Sequence, residues 1–189
     1  MPAPMIGPMT DPVDTERLRF RRLTGADLGL LAELDGDPEV MRYLTGGPAT
    51  PPSRQQAILA RILGEYDGGV PGRWLAHDAE TGAFLGWFGL DSDTSPPDER
   101  ELGYRLRRAA WGRGLATEGA RALLDFGFGE LGLQRIWAQT MAVNLRSRRV
   151  LASAGLRHVR TLHLHFDDPI PGHEQGEVEY EINRGAWQG

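Results

Sequence analysis

Two glycines one residue apart, Gly112 and Gly114, stand directly before a long apolar stripe in the stretch AAWGRGLATEGARALLDFGFGEL, Ala109 to Leu131. Glycine is costly inside regular structure, so a pair here marks a tight turn or a point where another group approaches the bare backbone. Beyond the pair, Ala116, Ala120, Leu123, Leu124, Phe128 and Leu131 recur at helical spacing, which predicts a helix with one buried face starting near Ala116. A turn that feeds straight into a helix aims several unpaired amides at one point, where the helix dipole also favours negative charge. The stretch therefore predicts an anion site of pyrophosphate shape, with a strand ending near Arg107 on its other side.

The flanking sequence reads as a mixed α/β pattern without internal repeats. RLRFRRL (Arg17 to Leu23) alternates as a strand, and the next segment is a helix capped by Thr24 with an apolar face of Leu28, Leu31 and Ala32. Asp37 and Pro38 open a short helix, and the loop GGPATPPS leads into a longer helix through RQQAILARILGEY. GRWLAHDAETGAFLGWFGLD reads as two strands around a turn at Glu80 to Gly82, and RELGYRLR as a third, together an antiparallel meander. After the glycine-rich turn and its helix come a strand in QRIWAQTMAV and a helix capped by Asn144 and closed at Gly155. Two last strands follow, LRHVRTLHLHF and EVEYEINRGAW. The expected class is α+β, one domain around a mixed central sheet of about seven strands flanked by about four helices.

Composition narrows the function classes. A chain of 189 residues with 40% hydrophobic and 25% charged content suits one globular domain, expected over 16–187, with residues 1–15 as a disordered tail. The absence of cysteine excludes disulfides and thiolate metal sites. A net charge of −5 argues against bulk nucleic-acid binding and fits a cationic or amine-bearing partner better. With neither a membrane-length apolar run nor the basic and apolar regions of a signal peptide, no membrane partner is expected and the expected location is the cytoplasm. Oligomeric state is not legible in the sequence, which is compatible with a homodimer. The P-loop spacing of Gly, four residues, Gly-Lys-Ser/Thr does not occur, and a dinucleotide fingerprint would want Gly or Ala where Thr117 stands.

The segment AAWGRG resembles the acetyl-CoA loop of the GNAT acyltransferase superfamily, whose pattern is Arg or Gln, two residues, Gly, one residue, Gly or Ala. Gly112 and Gly114 match it, and Ala109 departs at the first position. ELGYRLRRAAWGRGLATEGA is similar to the RimJ/RimL-like branch, and so is NLRSRRVLASAGL, through Asn144, Ser147, Gly155 and Leu156. The early DPEVMRYL and the late EVEYEINRGAW extend the likeness over Glu16 to Trp187. The resemblance implies a strongly bent sheet whose fourth and fifth strands splay apart around acetyl-CoA. It assigns backbone contact with the pantetheine arm to Tyr104 and Leu106, and contact with the pyrophosphate to Trp111, Gly112, Arg113, Gly114, Leu115, Ala116 and Thr117. A hydrogen bond to pantetheine falls to Asn144, whose plain reading is a helix cap.

The implied reaction is attack of a neutral primary amine on the thioester, collapse of a tetrahedral oxyanion and departure of the thiolate, which calls for a base and an oxyanion or sulfur donor. Glu101 is the first candidate base, with Glu99 as the neighbour that would serve instead. The acid tyrosine that many family members carry falls on Leu151, so Ser147 is the remaining acid candidate. Trp74, Trp87 and Phe88 read first as core, with Trp74 and Trp87 also considered as walls of the acceptor site, beside His163 and His165 on one face of the sixth strand. His158, His163, His165, His173 and Asp167 lack a defining ligand spacing, so no metal is expected. Arg146, Arg148 and Arg149 read as a solvated helix face or as contacts to a CoA phosphate or an acidic substrate. Two functions remain open at this point: an acetyl-CoA-dependent N-acetyltransferase acting on a protein N-terminus or a small amine, and a non-catalytic acyl-CoA-binding domain.

Overall fold

The computed structural model describes residues 11–67, 72–92 and 96–188. Seven strands form one sheet: β1 (Leu18–Arg22), β2 (Arg73–Asp78), β3 (Phe84–Asp91), β4 (Glu99–Leu106), β5 (Arg135–Met141), β6 (Arg157–Leu162) and β7 (Glu177–Asn183). Their spatial order is β1-β2-β3-β4-β5-β7-β6. All neighbours pair antiparallel except β4 and β5, which run parallel and pair at only three positions, Glu99 with Arg135, Arg100 with Ile136 and Glu101 with Trp137. From Leu102 onward β4 has no partner on that side, so the sheet opens into a wedge.

Among the described residues five α-helices cover the sheet: α1 (Leu28–Asp35), α2 (Pro38–Met41), α3 (Pro52–Asp67), α4 (Leu115–Gly129) and α5 (Leu145–Ala154). The single turn α2 is the short helix expected at Pro38, started there with the Asp37 side chain accepting the Glu39 amide. The period of two along the strands, shifted once on β3 at Leu85, divides the core. Leu18, Trp74, Phe88, Leu90, Leu102 and Leu106 face α4 and α5, whereas Leu75, Phe84 and Trp87 face α1 and α3. Fully burying side chains such as Phe88 or Leu123 contributes roughly 1.5–3 kcal/mol each, so the apolar stripe of α4 is what fastens it to the sheet. Gly119 makes the approach close, because a β-carbon there would overlap the Phe88 ring.

Two expectations are corrected. The sixth strand stops at Leu162, short of the alternation that runs on to Phe166. Leu162 is paired with Glu177, and the residue before that partner is Gly176, whose φ of +84° turns β7 away and leaves His163 onward nothing to pair with. The stretch expected as a tail is held down in its described part. Asp11 accepts hydrogen bonds from Arg22 Nε and Trp74 Nε1, Asp14 accepts from the Phe20 amide, and Thr15 donates to Glu118. Residues 1–10 lie outside the described residues. Among those described, no helix is long and apolar enough to cross a membrane.

Candidate active site

The stretch read as an anion cradle lies where β4 gives way to α4. Gly112 and Gly114 both have left-handed backbones, with φ of +71° and +78°, so each holds a conformation that side chains disfavour. Nothing lies within 4 Å of where a β-carbon on Gly112 would project, which leaves the approach to the backbone open. The first bond of α4 runs from the Glu118 amide to the Gly114 carbonyl, so the amides of Leu115, Ala116 and Thr117 have no acceptor within the helix. No side chain caps this helix start. Three amides at the positive end of a 15-residue helix suit a pyrophosphate. The loop is braced from both sides: Trp111 Nε1 donates to the Leu106 carbonyl at 2.9 Å, and Arg146 of α5 lies over the Trp111 ring at 5.2 Å. Arg17 Nη1 donates to the Arg113 carbonyl at 2.8 Å, and the same guanidinium pairs with Glu118.

From this cradle the open edge of β4 runs back along the wedge. The Arg107 amide donates to the Leu85 carbonyl on the β3 side, so by antiparallel alternation the backbone groups of Leu102, Tyr104 and Leu106 point to the opened side. Tyr104 therefore offers both its amide and its carbonyl there, while one lone pair of the Leu106 carbonyl is taken by Trp111. The Asn144 side chain does cap α5, accepting the Ser147 amide at 3.2 Å while its Nδ2 donates to Thr140 Oγ1 at 3.2 Å. One Nδ2 proton remains for a ligand. Arg148 leaves the expected basic face, bonding the Ala142 carbonyl and the Tyr180 hydroxyl.

Sequence reasoning missed the contact at the heart of the wedge. The Tyr104 hydroxyl lies 2.9 Å from Ser147 Oγ, and burial pushes its pKa up to about 12 against the weaker opposing effect of that hydrogen bond. Tyr104 was singled out for its backbone alone. The signal available was its even-numbered place on β4, which turns it to the α4 and α5 face where Ser147 also sits. Leu151, the position of the absent acid tyrosine, is buried in the core.

On the other face of β4 lie Glu101, Gly103 and Arg105. Glu101 is half-buried and stands opposite Asp91 on β3 and Trp137 on β5, at the last pair before the strands part. Glu99 pairs with Arg135 at 2.6 Å, and Arg135 also holds Glu179 and Glu181. Taking up a proton at Glu99 would break that network. Trp87 shares the face of Glu101, with the guanidinium of Arg73 at 4.1 Å and that of Arg105 at 5.5 Å from its ring centre. Trp74 lies on the other side of the sheet from Trp87. It is fully buried on the opposite face, edge-on to Phe126, because Trp74 pairs with Phe88 while Trp87 pairs with Leu75. His163 and His165 are exposed residues beyond the end of β6, not side chains on one strand face. Among the described residues no group of three His, Asp or Glu side chains is arranged to hold a metal.

Residues 17–157 match the family model described as an acetyltransferase (GNAT) domain. The chain is 39% identical over 181 residues to the FsC-acetyl coenzyme A-N(2)-transacetylase of Aspergillus fumigatus, covering 92% of this chain and 76% of that one. Its fold is similar to the acetyltransferase from Agrobacterium tumefaciens, with a TM-score of 0.72, 27% identity and coverage of 92% and 95%. It is also similar to the spermidine N-acetyltransferase from Vibrio cholerae in complex with CoA and spermine. There the TM-score is 0.76, the identity 19% and the coverage 91% and 98%.

Proposed function

The chain belongs to the acetyltransferase (GNAT) family, and from that premise we propose that it transfers the acetyl group of acetyl-CoA directly onto a primary amine, with Glu101 as base and Ser147 as the donor facing the sulfur. The observation that carries this reading is the wedge itself. A cradle of free amides stands at its mouth, unpaired β4 backbone runs along its edge, a hydroxyl pair lies on one face and a carboxylate on the other. Bound there, acetyl-CoA supplies an activated thioester. Its phosphates would rest on the amides of Gly112 to Thr117, and its pantetheine arm would pair with Tyr104 and Asn144. The residues present fit that group, since the cradle is open at the place a side chain would fill. The name of the Aspergillus fumigatus relative, which specifies an N(2) nitrogen, supports an amine acceptor. Our finer RimJ/RimL-like reading rests on the ELGY and NLRS segments.

The roles follow from proton energetics. An ammonium with pKa about 10.4 costs roughly 4–5 kcal/mol to present uncharged at neutral pH, whereas an α-amine near 7.8 costs about 1 kcal/mol. Glu101, at the parting of β4 and β5, takes that proton directly or through a water. On the opposite face, Tyr104 at about 12 is a weaker acid than an ordinary thiol near 8.5, so full proton transfer to a leaving thiolate would run uphill by roughly 5 kcal/mol. Ser147 and Tyr104 accordingly stabilise the developing sulfur charge by hydrogen bonding: Tyr104 orients the Ser147 hydroxyl, and that hydroxyl points its proton at the sulfur. This pair supplies the hydroxyl that position 151 lacks and removes the main argument for a non-catalytic domain.

The test is release of free thiol from acetyl-CoA across a panel of primary amines, alongside thermal shifts. Acetyl-CoA at a hundredfold its dissociation constant should stabilise the fold by about 2.7 kcal/mol, with NAD doing much less. Equal stabilisation by NAD, or no thiol release with any amine, would overturn the proposal.

A further inference from the structure

The face of the sheet that carries Glu101 also bounds a cavity of about 290 Å³ between α1, α3 and the β2–β4 meander, lined by Trp87, Gln55, Arg54, Arg61, Arg73 and Arg105 among others. Four arginines around a hollow of this size are unusual, because buried charge is costly unless matched. Three of them are matched: Arg105 by Asp35, Arg61 by Glu65 and Arg73 by Asp91, the last at 2.8 Å. Arg54 has no ion-pair partner among the described residues. The matching is also incomplete at the level of atoms. The Nε groups of Arg73 and Arg105 are buried without an acceptor, and Oδ1 of Asp91 is buried without a donor. These ion pairs account for the bonds the side chains make and leave the orphan atoms unexplained.

Resting on the acetyltransferase reading, we infer that the acceptor is a small zwitterion of amino-acid class, its carboxylate held by Arg54, Arg73 and Arg105 around Trp87 and its amine turned to Asp91 and Glu101. The orphans have complementary signs, two donors and one acceptor. Asp91 and Glu101 lie outside the cavity lining and adjoin it through Arg73, the ion-pair partner of Asp91; Asp91 is the cross-strand partner of Glu101, so an ammonium drawn to Asp91 Oδ1 stands beside the proposed base. The orphan donor on Arg73 and the orphan acceptor on Asp91 belong to one ion pair, so the carboxylate and amine they take are separated by few bonds. A single surplus cation matches one carboxylate better than a phosphate monoester, which carries nearly two negative charges. The planar guanidinium forks suit a carboxylate as well. The cavity volume is that of a molecule of amino-acid size.

The experiment compares L-phenylalanine, its methyl ester and phenethylamine, with L-tyrosine and tyramine as a second set, by thiol release and by calorimetry on the CoA-loaded protein. The amino acids should exceed their carboxylate-free partners by at least tenfold in kcat/KM and in affinity. Arg54→Gln, an exposed position, should collapse that ratio to within threefold, as should Arg73→Lys, which keeps the charge and loses the fork. Intrinsic amine basicity cancels when each ratio is compared with wild type. Equal use of ester, amine and acid, or a ratio unmoved by Arg54→Gln, would overturn the inference while leaving amine acetylation intact. If no amine is turned over, calorimetry still decides. Binding of L-phenylalanine that depends on Arg54 sustains the carboxylate site though the acetyltransferase reading fails, and indiscriminate or absent binding removes both.

Discussion

On the α4 side of β4 the groups that would meet the donor are main-chain ones: amides at a helix start, two left-handed glycines and the unpaired edge of a strand. On the α1 and α3 side the equivalent positions are filled by side chains, with guanidinium groups stacked on Trp87 and carboxylates from three different elements. A phosphate is the same in every acetyl-CoA, so it can be read by backbone amides, whose left-handed turn is set by Gly112 and Gly114 and steadied by side chains that face away from the ligand. An acceptor differs between enzymes, and its recognition is written in side chains whose placement depends on the whole tertiary fold. The donor half should therefore tolerate most side-chain changes and fail on backbone ones, with the acceptor half behaving in the opposite way.

The sharpest contrast is expected at Asp35. Removing this buried carboxylate in Asp35→Ala strands Arg105 and should cost about 3 kcal/mol of stability, lowering the melting temperature by roughly 6–12 °C. A melting temperature within 2 °C of wild type would show that Arg105 finds water or another partner and that the acceptor half is less tightly coupled than drawn. Next, Glu101→Gln should reduce kcat/KM about 100-fold at pH 6.5, near 2.7 kcal/mol, and less at pH 8.5, where an α-amine is already mostly neutral. A loss equal at both pH values would point to positioning instead of proton removal.

A third test uses pH and the entry to α1. Asp27, hydrogen-bonded first by Arg21 and then by Thr24, has its pKa lowered to about 2. A depressed carboxylate stabilises the fold above its unfolded pKa, near 3.8, and that contribution disappears as pH falls towards 2. Because Arg21 is partly exposed, the contribution is about 1–2 kcal/mol. Asp27→Asn should show this deficit at pH 7 and converge with wild type near pH 2 in denaturant titrations; a deficit independent of pH would assign it to lost packing. In the donor half, Gly114→Val should weaken CoA binding by at least tenfold, about 1.4 kcal/mol, while the protein still folds. Normal affinity in a folded variant would move the cradle elsewhere. The smallest effect is expected for Tyr104→Phe, a few-fold fall in kcat, about 1 kcal/mol, with acetyl-CoA affinity little changed. A large rise in KM for acetyl-CoA would make the hydroxyl a ground-state contact.

The same asymmetry governs what was legible in the sequence. The glycine turn and the helix start behind it could be read because their determinants are local: two glycines, an apolar period of 3.6 and a strand that ends nearby. The seven strands and the helix starts at Asp37 and Asn144 were legible for the same reason. The acceptor half was not. Trp74 and Trp87 look alike in sequence and lie on opposite faces, a difference fixed only by the register that sets Trp74 against Phe88. The strand expected through His163 and His165 needed a partner that Gly176 withdraws, and no pattern within the strand itself could reveal that. The contact of Glu99 with Arg135 depends on where β5 carries that arginine, and no local pattern could reveal it.

The brace of Arg17 on the glycine loop has a consequence for how this protein is made. Its bonds to Glu118 and to the Arg113 carbonyl join residues 101 and 96 positions apart in the chain. Contacts of such separation carry a loop-closure cost and form late in folding. The cradle therefore gains its final shape only after the first strand has docked beside the second, although every residue that faces the phosphates is encoded in one short local stretch. Binding of CoA would then report completion of the fold, and a fragment beginning after β1 would keep the sequence motif while holding its ligand poorly.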